Sequence, residues 1–349
     1  MFFSSRVSSL PHARPVPLRR ILGTAMSALA LVMGAPAAHA DTTLLNVSYD
    51  VTRELFKDVN AGFIADWKKT SGETITINQS HGGSSKQARA VVDGLEASVV
   101  TMNQANDIDI LVSNGLVAPG WANKFPNNAA PYYSTMVFLV RKGNPKGIKD
   151  WDDLIKPGVK VIIPNPKVSG NGRYSYLAAW GAVIKKGGTE AQARDAVTKL
   201  FKNVPILDAG GRAATTTFTQ RDIGDVLVTF ENEVMLVKKD MGAKFDIVYP
   251  SISILAESPV AVVDKVVDRR NNRKQATAYL QYLYSEPAQE LIANNFFRTR
   301  SAAVTKKHAA EFKPVKLFSI DEVFGGWKNA QKTHFDDGGE FDKIYAAKK

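Results

Sequence analysis

One pattern recurs along the chain and limits what it can fold into. An apolar run leads into a loop of small residues, and the loop opens a helical pattern. It reads TITINQSHGGSSKQ over residues 74–87, VIIPNPKVSGNGRY over 161–174 and PILDAGGRAATTTF over 205–218. NVSYDVTRE, over 46–54, is a fourth version with fewer glycines. Strands alternating with helices predict an α/β fold. No repeat of fixed period accompanies them, which argues against a solenoid. In open α/β sheets, ligands sit beyond the carboxyl ends of the strands. The four loops are therefore expected to converge on one cleft.

The first 40 residues stand apart. They carry Arg6, Arg14, Arg19 and Arg20 and no acid, then an apolar run over 21–33, then Ala38-His39-Ala40. That is the pattern of a cleavable signal peptide, which predicts export. The apolar run is shorter than the roughly 20 residues a membrane span needs. Residues 41–349 are too many for one small core and suit two lobes. Four of the eleven excess positive charges lie in the leader, and the other cations are spread among acids. Such a surface argues against nucleic acid as a partner. Cysteine is absent, which removes disulfides, thiol nucleophiles and zinc-thiolate sites. Past the leader only His81, His308 and His334 remain, with no metal-ligand spacing. No catalytic residue, metal or cofactor is expected.

Strands are predicted over 44–49, 74–79 and 98–102. Between the first two, Leu55, Val59, Phe63 and Trp67 form one helical stripe that Gly72 ends. An Asn- and Pro-rich loop over 124–131 suggests a crossing into a second lobe. That lobe is predicted to hold strands over 135–140, 159–163, 205–208 and 225–230. Its helix from Asn171 should turn Tyr174, Leu177, Ala178 and Gly181 to one face. The return crossing is placed after Glu231, and a single helix over 276–294. Lobe I is thus 41–128 plus 234–300 and lobe II is 129–233. Residues 301–349 form a C-terminal helical segment packing across both.

The loops themselves suit an anion. Ser84-Ser85-Lys86-Gln87 has the spacing of a capping box, with Ser84 as the cap. Helix starts present unpaired N–H groups and the positive end of the dipole. A Walker phosphate loop is excluded, because Lys86 follows no glycine and precedes Gln87. The three glycine-rich loops beyond their strands contain no acid within 169–172, 210–213 or 80–87. A carboxylate helps hold a protonated anion and repels a fully ionised one. The loops therefore favour a tetrahedral oxyanion that carries no proton. Asp50, in the fourth loop, is expected to cap the helix over 52–69. Lys86, Lys167, Arg173 and Arg212 are expected to face solvent or orient the loops. Six or seven neutral hydrogen bonds of about 1 kcal/mol each reach the roughly 8 kcal/mol of micromolar binding.

Several stretches carry a family resemblance: LLNVSYD, QSHGGSSKQA, VFLVRKGNPK, DWDDLIKPGVKVI, YLAAWGA, TTTF and FGGW. Through them the chain resembles the periplasmic sulfate- and thiosulfate-binding proteins of ABC importers over nearly all of 41–349. The resemblance implies a two-lobed periplasmic binding protein of type II. Each lobe would be a mixed sheet flanked by helices, with the ligand cleft between. It also implies delivery of sulfate or thiosulfate to a membrane permease, and a protein that must close and dock is expected to be a monomer. By position, the family's site falls on Asp50 (backbone), Ser84, Ser169, Gly170, Asn171 and Gly211 (backbone). Its last contact falls on Phe230, where the sulfate-binding branch carries a tryptophan indole. The thiosulfate-binding branch carries phenylalanine there, and also resembles this chain in VVTMNQ, YSTM, SGNGRY and GGRAATTTF. Two other classes stay open: a binder of molybdate or phosphate, and a secreted hydrolase or sulfurtransferase. The latter would lack a cysteine nucleophile and a paired His-carboxylate.

Overall fold

The computed structural model describes residues 42–346. The leader over 1–40 lies outside the described residues. Two four-stranded sheets organise the chain. In the first, Thr42–Tyr49 runs parallel to Ile75–Gly82 on one side and to Val99–Thr101 on the other. Val260–Val262 closes that sheet antiparallel to Val99–Thr101. In the second, Met136–Arg141 lies antiparallel between Val226–Phe230 and Phe245–Val248. Val161–Ile162 adds a parallel edge to Val226–Phe230. Both sheets are mixed and flanked by helices, the two-lobed type II arrangement expected.

The apolar runs explain the layers. Met136 to Val140 are all buried, as a strand covered on both faces requires. The stripe Leu55, Val59, Phe63 and Trp67 is buried on the helix Arg53–Ser71. Phe63 meets Tyr279 edge-on at 5.2 Å, and burying such a ring contributes about 1.5–3 kcal/mol. Gly72 ends the helix at φ 75°, its N–H donating to Lys68 O at 3.1 Å.

Five expectations need correction. Residues 205–208 form no strand; one ladder-like bond, Asn165 N to Asp208 O, is what remains of it. Residues 276–294 hold two helices, Arg273–Tyr282 and Glu286–Asn294. Pro287 has no N–H to continue a helix, and Ser285 caps the second one. The helix Gly170–Lys185 is buried all round over its first thirteen residues, not on one face. It runs through the middle of its lobe, and a Cβ on Gly181 would overlap the Phe318 ring. The strand Ile75–Gly82 continues to Gly82, because its parallel pairing with Thr42–Tyr49 runs to the last residue. Finally, Phe245–Val248 pairs in the second sheet, so it does not belong with the first-lobe stretch 234–300.

The chain passes between the sheets through a small antiparallel sheet. Tyr132–Ser134 is its centre, with Ala256–Glu257 and Arg298–Thr299 on either side. The C-terminal helices touch residues attached to both sheets. Asn106 Nδ2 donates to Gln331 Oε1 at 3.1 Å, and Lys167 Nζ to Phe335 O at 2.9 Å.

Candidate anion site

The four loops meet. A Cβ on Gly83 would come within 3.1 Å of Val168 O and 3.4 Å of Ala209 O. On Gly210 it would lie 2.5 Å from Asp50 Oδ2; on Gly211, 2.7 Å from Asn171 Nδ2 and 3.2 Å from Val51 Cγ1. On Gly170 it would overlap Asn103 Oδ1. Side chains at these glycines would hold the two lobes apart. Ser84, Ser169, Gly170, Asn171 and Gly211 are all buried at this meeting of loops.

The second lobe supplies two helix starts. Ser169 caps Gly170–Lys185, its Oγ accepting the Gly172 N–H at 3.4 Å. Asn171 is held from behind, with Nδ2 donating to Thr229 Oγ1 at 2.7 Å. Gly211 opens the helix Gly211–Thr219, and no side chain of its own segment caps it. From the first lobe comes Ser84, the first residue of the helix Ser84–Val92. Gly83, not Ser84, is the cap, and the capping box is absent. The helix thus begins one residue earlier than the capping pattern implies, directly after the strand that ends at Gly82. Gln87 instead fastens the strand ends, donating to Ser48 O at 3.2 Å and Ser80 Oγ at 3.0 Å. Ser84 Oγ accepts the Asn103 N–H at 3.3 Å.

Asp50 does not cap its own helix. Its carboxylate reaches across and accepts the Arg212 N–H at 3.3 Å, so it caps the helix of the other lobe. Burial pushes the Asp50 carboxyl above its ordinary pKa, against the pull of that N–H and of the Arg212 charge.

The cations near the loops are engaged elsewhere or exposed. Lys86 faces solvent. Lys167 pairs with Asp337 and Asp342, each at 3.1 Å. Arg173 is buried, with Nε donating to Pro166 O at 2.9 Å and Nη1 4.0 Å from Asp107 Oδ1. Arg212 is forked between Glu54 and Glu233. Burial alone would lower its pKa, but those two carboxylates hold it above the ordinary guanidinium value. Lys86 thus faces solvent, and the other three are held by carboxylates or carbonyls of the protein. Sequence reasoning missed the fork and Asn103; only their loops, GGR and VVTMNQ, stood out.

Phe230 ends the strand Val226–Phe230 and directly precedes the helix Glu231–Met241. It is 2 % exposed and lies edge-on to Tyr174 at 5.7 Å and to Tyr49 at 6.3 Å.

Each described histidine has side-chain partners, His334 through Nδ1 to Tyr176 Oη at 3.0 Å. His81 Nε2 meets the Gln79 amide. His308 does have carboxylate partners, Glu290 at 3.1 Å and Glu311 at 3.0 Å, contrary to expectation. Both its ring nitrogens are thereby occupied. Among the described residues, no group of three or more His, Asp or Glu is placed to hold a metal. Among them, no helix is long and apolar enough to cross a membrane.

A family profile described as bacterial extracellular solute-binding protein matches residues 47–298. A thiosulfate-binding protein of Pseudomonas aeruginosa is 56% identical over 94% of this chain and 99% of its own length. A sulfate-binding protein of Salmonella typhimurium is 55% identical over 87% of this chain and 93% of its own. The solved sulfate-binding protein SubI from Mycobacterium tuberculosis superposes with a TM-score of 0.77 at 33% identity. That match covers 84% of this chain and all of the other. With two mixed sheets, converging helix starts and relatives this similar along the whole fold, the chain belongs to the bacterial extracellular solute-binding proteins, in the group that holds the sulfate- and thiosulfate-binding proteins.

Proposed function

We propose that this protein captures thiosulfate and sulfate in the periplasm and delivers them to the membrane permease of an ABC importer. The observation that carries this reading is the meeting of four loops whose nearby cations are engaged elsewhere or exposed. Ser84, Ser169, Gly170, Asn171 and Gly211 supply uncharged donors from both lobes, with the Asp50 backbone as a further one. A dehydrated dianion is stabilised there by helix starts and short hydrogen bonds. Phe230 faces the terminal sulfur of thiosulfate, a weaker acceptor than oxygen that suits an apolar ring. Residues 41–128 form most of the first lobe, and 129–233, extended by the strand Phe245–Val248, the second. Residues 301–349 brace both. The protein acts as a monomer without catalysis or cofactor, exported by its leader.

A second reading takes its support from Asp50. Its carboxylate stands beside Gly210 and accepts an N–H from the Gly211 helix. Such an acceptor suits a proton-bearing oxyanion such as hydrogen phosphate.

Thermal shifts with sulfate, thiosulfate, molybdate and phosphate at one concentration separate the two. A ligand at a hundred times its dissociation constant adds about 2.7 kcal/mol of stability. The sulfur anions are expected to give the largest shifts. No shift with either overturns the proposal, and a larger shift with phosphate decides for the second reading.

A further inference from the structure

We infer that Asn103 is a further ligand-contacting and specificity-determining residue, donating its side-chain amide N–H to the oxyanion held at the Gly170 helix start. The inference rests on the proposed function.

Asn103 follows the strand Val99–Thr101, which lies next to the central strand Thr42–Tyr49 of the first sheet. Its side chain therefore leaves from the carboxyl end of a strand, where such sheets bind ligands. Its backbone N–H donates to Ser84 Oγ, which fixes its start beside a candidate contact of the same lobe. The side chain then crosses to the other lobe. A Cβ on Gly170 would overlap Asn103 Oδ1 and lie 2.7 Å from both Cγ and Nδ2. The amide is thus packed against the first residue of a sixteen-residue helix.

Asn103 is only 4 % exposed, and its Oδ1 has no hydrogen-bond partner within the protein. A buried polar atom without a partner is costly, so a structural role alone accounts poorly for it. An amide has both an acceptor and a donor face. Here the oxygen is the atom nearest Gly170; donation to an anion requires the amide to turn over, so that its NH2 takes that place. It does so without adding charge, in keeping with the other donors. Phe230 supplies no N–H, and the Asn103 amide restores one neutral donor to the set.

Isothermal titration calorimetry with sulfate and thiosulfate tests this on the wild type, Asn103→Ala and Asn103→Asp. Neither variant alters the backbone N–H that bonds Ser84. Asn103→Ala is expected to weaken both anions about tenfold, the loss of one hydrogen bond to a charged acceptor. Asn103→Asp is isosteric and places a carboxylate against the anion, so it is expected to weaken binding more than a hundredfold. Melting of the ligand-free proteins shows whether each variant folds. If Asn103→Ala does not, the isosteric Asn103→Asp decides. Binding within twofold of wild type in the folded variants overturns the inference and leaves the proposed function standing. A wild type that binds neither anion overturns the proposed function, and this inference with it.

Discussion

Arg212 and Glu54 join the two lobes through a paired contact. Arg212 Nη1 and Nη2 donate to the two oxygens of Glu54 at 3.1 and 3.0 Å. The rest of the guanidinium holds Glu233, whose side chain is 1% exposed. Burial raises the Glu233 pKa even with Arg212 beside it.

Arg212→Met therefore strands a buried carboxylate. It is expected to cost about 3–5 kcal/mol, read by urea denaturation. Glu54 is 41% exposed on its side chain, so Glu54→Gln should cost no more than about 1 kcal/mol. It should instead speed ligand dissociation several-fold in stopped-flow measurements, since a tie between the lobes is lost. A wild-type urea midpoint in Arg212→Met would show that the fork does not hold the lobes.

Ser169→Ala tests the hydroxyl at the cap. Its bond to Gly172 N is long, 3.4 Å, so the cap itself contributes little. Stability should fall by at most about 1 kcal/mol. Affinity for sulfate and thiosulfate should fall about tenfold by calorimetry. Unchanged affinity removes this hydroxyl from the site.

Phe230→Trp tests the choice of anion. The ring sits between Tyr49 and Tyr174, so a larger one should cost about 1–3 kcal/mol in the ligand-free protein. An indole N–H bonds oxygen better than sulfur. The ratio of sulfate to thiosulfate affinity should rise. A ratio equal to that of the wild type would make Phe230 a packing residue only.

His334 predicts a pH dependence. It is buried, with Nδ1 3.0 Å from Tyr176 Oη and its ring 4.7 Å from that of Trp180. Burial holds its pKa down to about 4. The unfolded chain takes up the proton near pH 6.5 while the native imidazole stays neutral. Stability is thus full above pH 6.5 and is lost as pH falls toward 4, by about 3 kcal/mol in all. His334→Gln should flatten a plot of melting temperature against pH over this range. His81, also held down to about 4 by burial and Arg53, should leave a residual slope. An unaltered slope in His334→Gln would assign the dependence to other groups.

Local chemistry was legible from the sequence, and long-range pairing was not. Gly83, Ser169, Gly170 and Gly211 announce themselves because few residues can stand where two backbones approach. The stripe on Arg53–Ser71 shows because burial and helical period coincide. Pro287 was a stop signal in plain view. The Ser84 cap misled because the pairing in the first sheet runs to Gly82 and leaves Gly83 alone between strand and helix, so the cap falls on it. The Asp50 carboxylate and the Arg212 N–H are 162 positions apart, and no local pattern links them. Asn103 was visible only as part of a shared stretch; its meaning depends on Gly170 in the other lobe.

The three strands that run between the sheets share hydrogen bonds: Tyr133 pairs with Glu257 on one side and with Arg298 on the other. Separate tethers would allow the sheets to slide and twist independently. Strands bonded side by side deform together, as the wires of one torsion bar do. A turn of one sheet against the other is then a single rotation, and its stiffness belongs to the bundle rather than to any one strand.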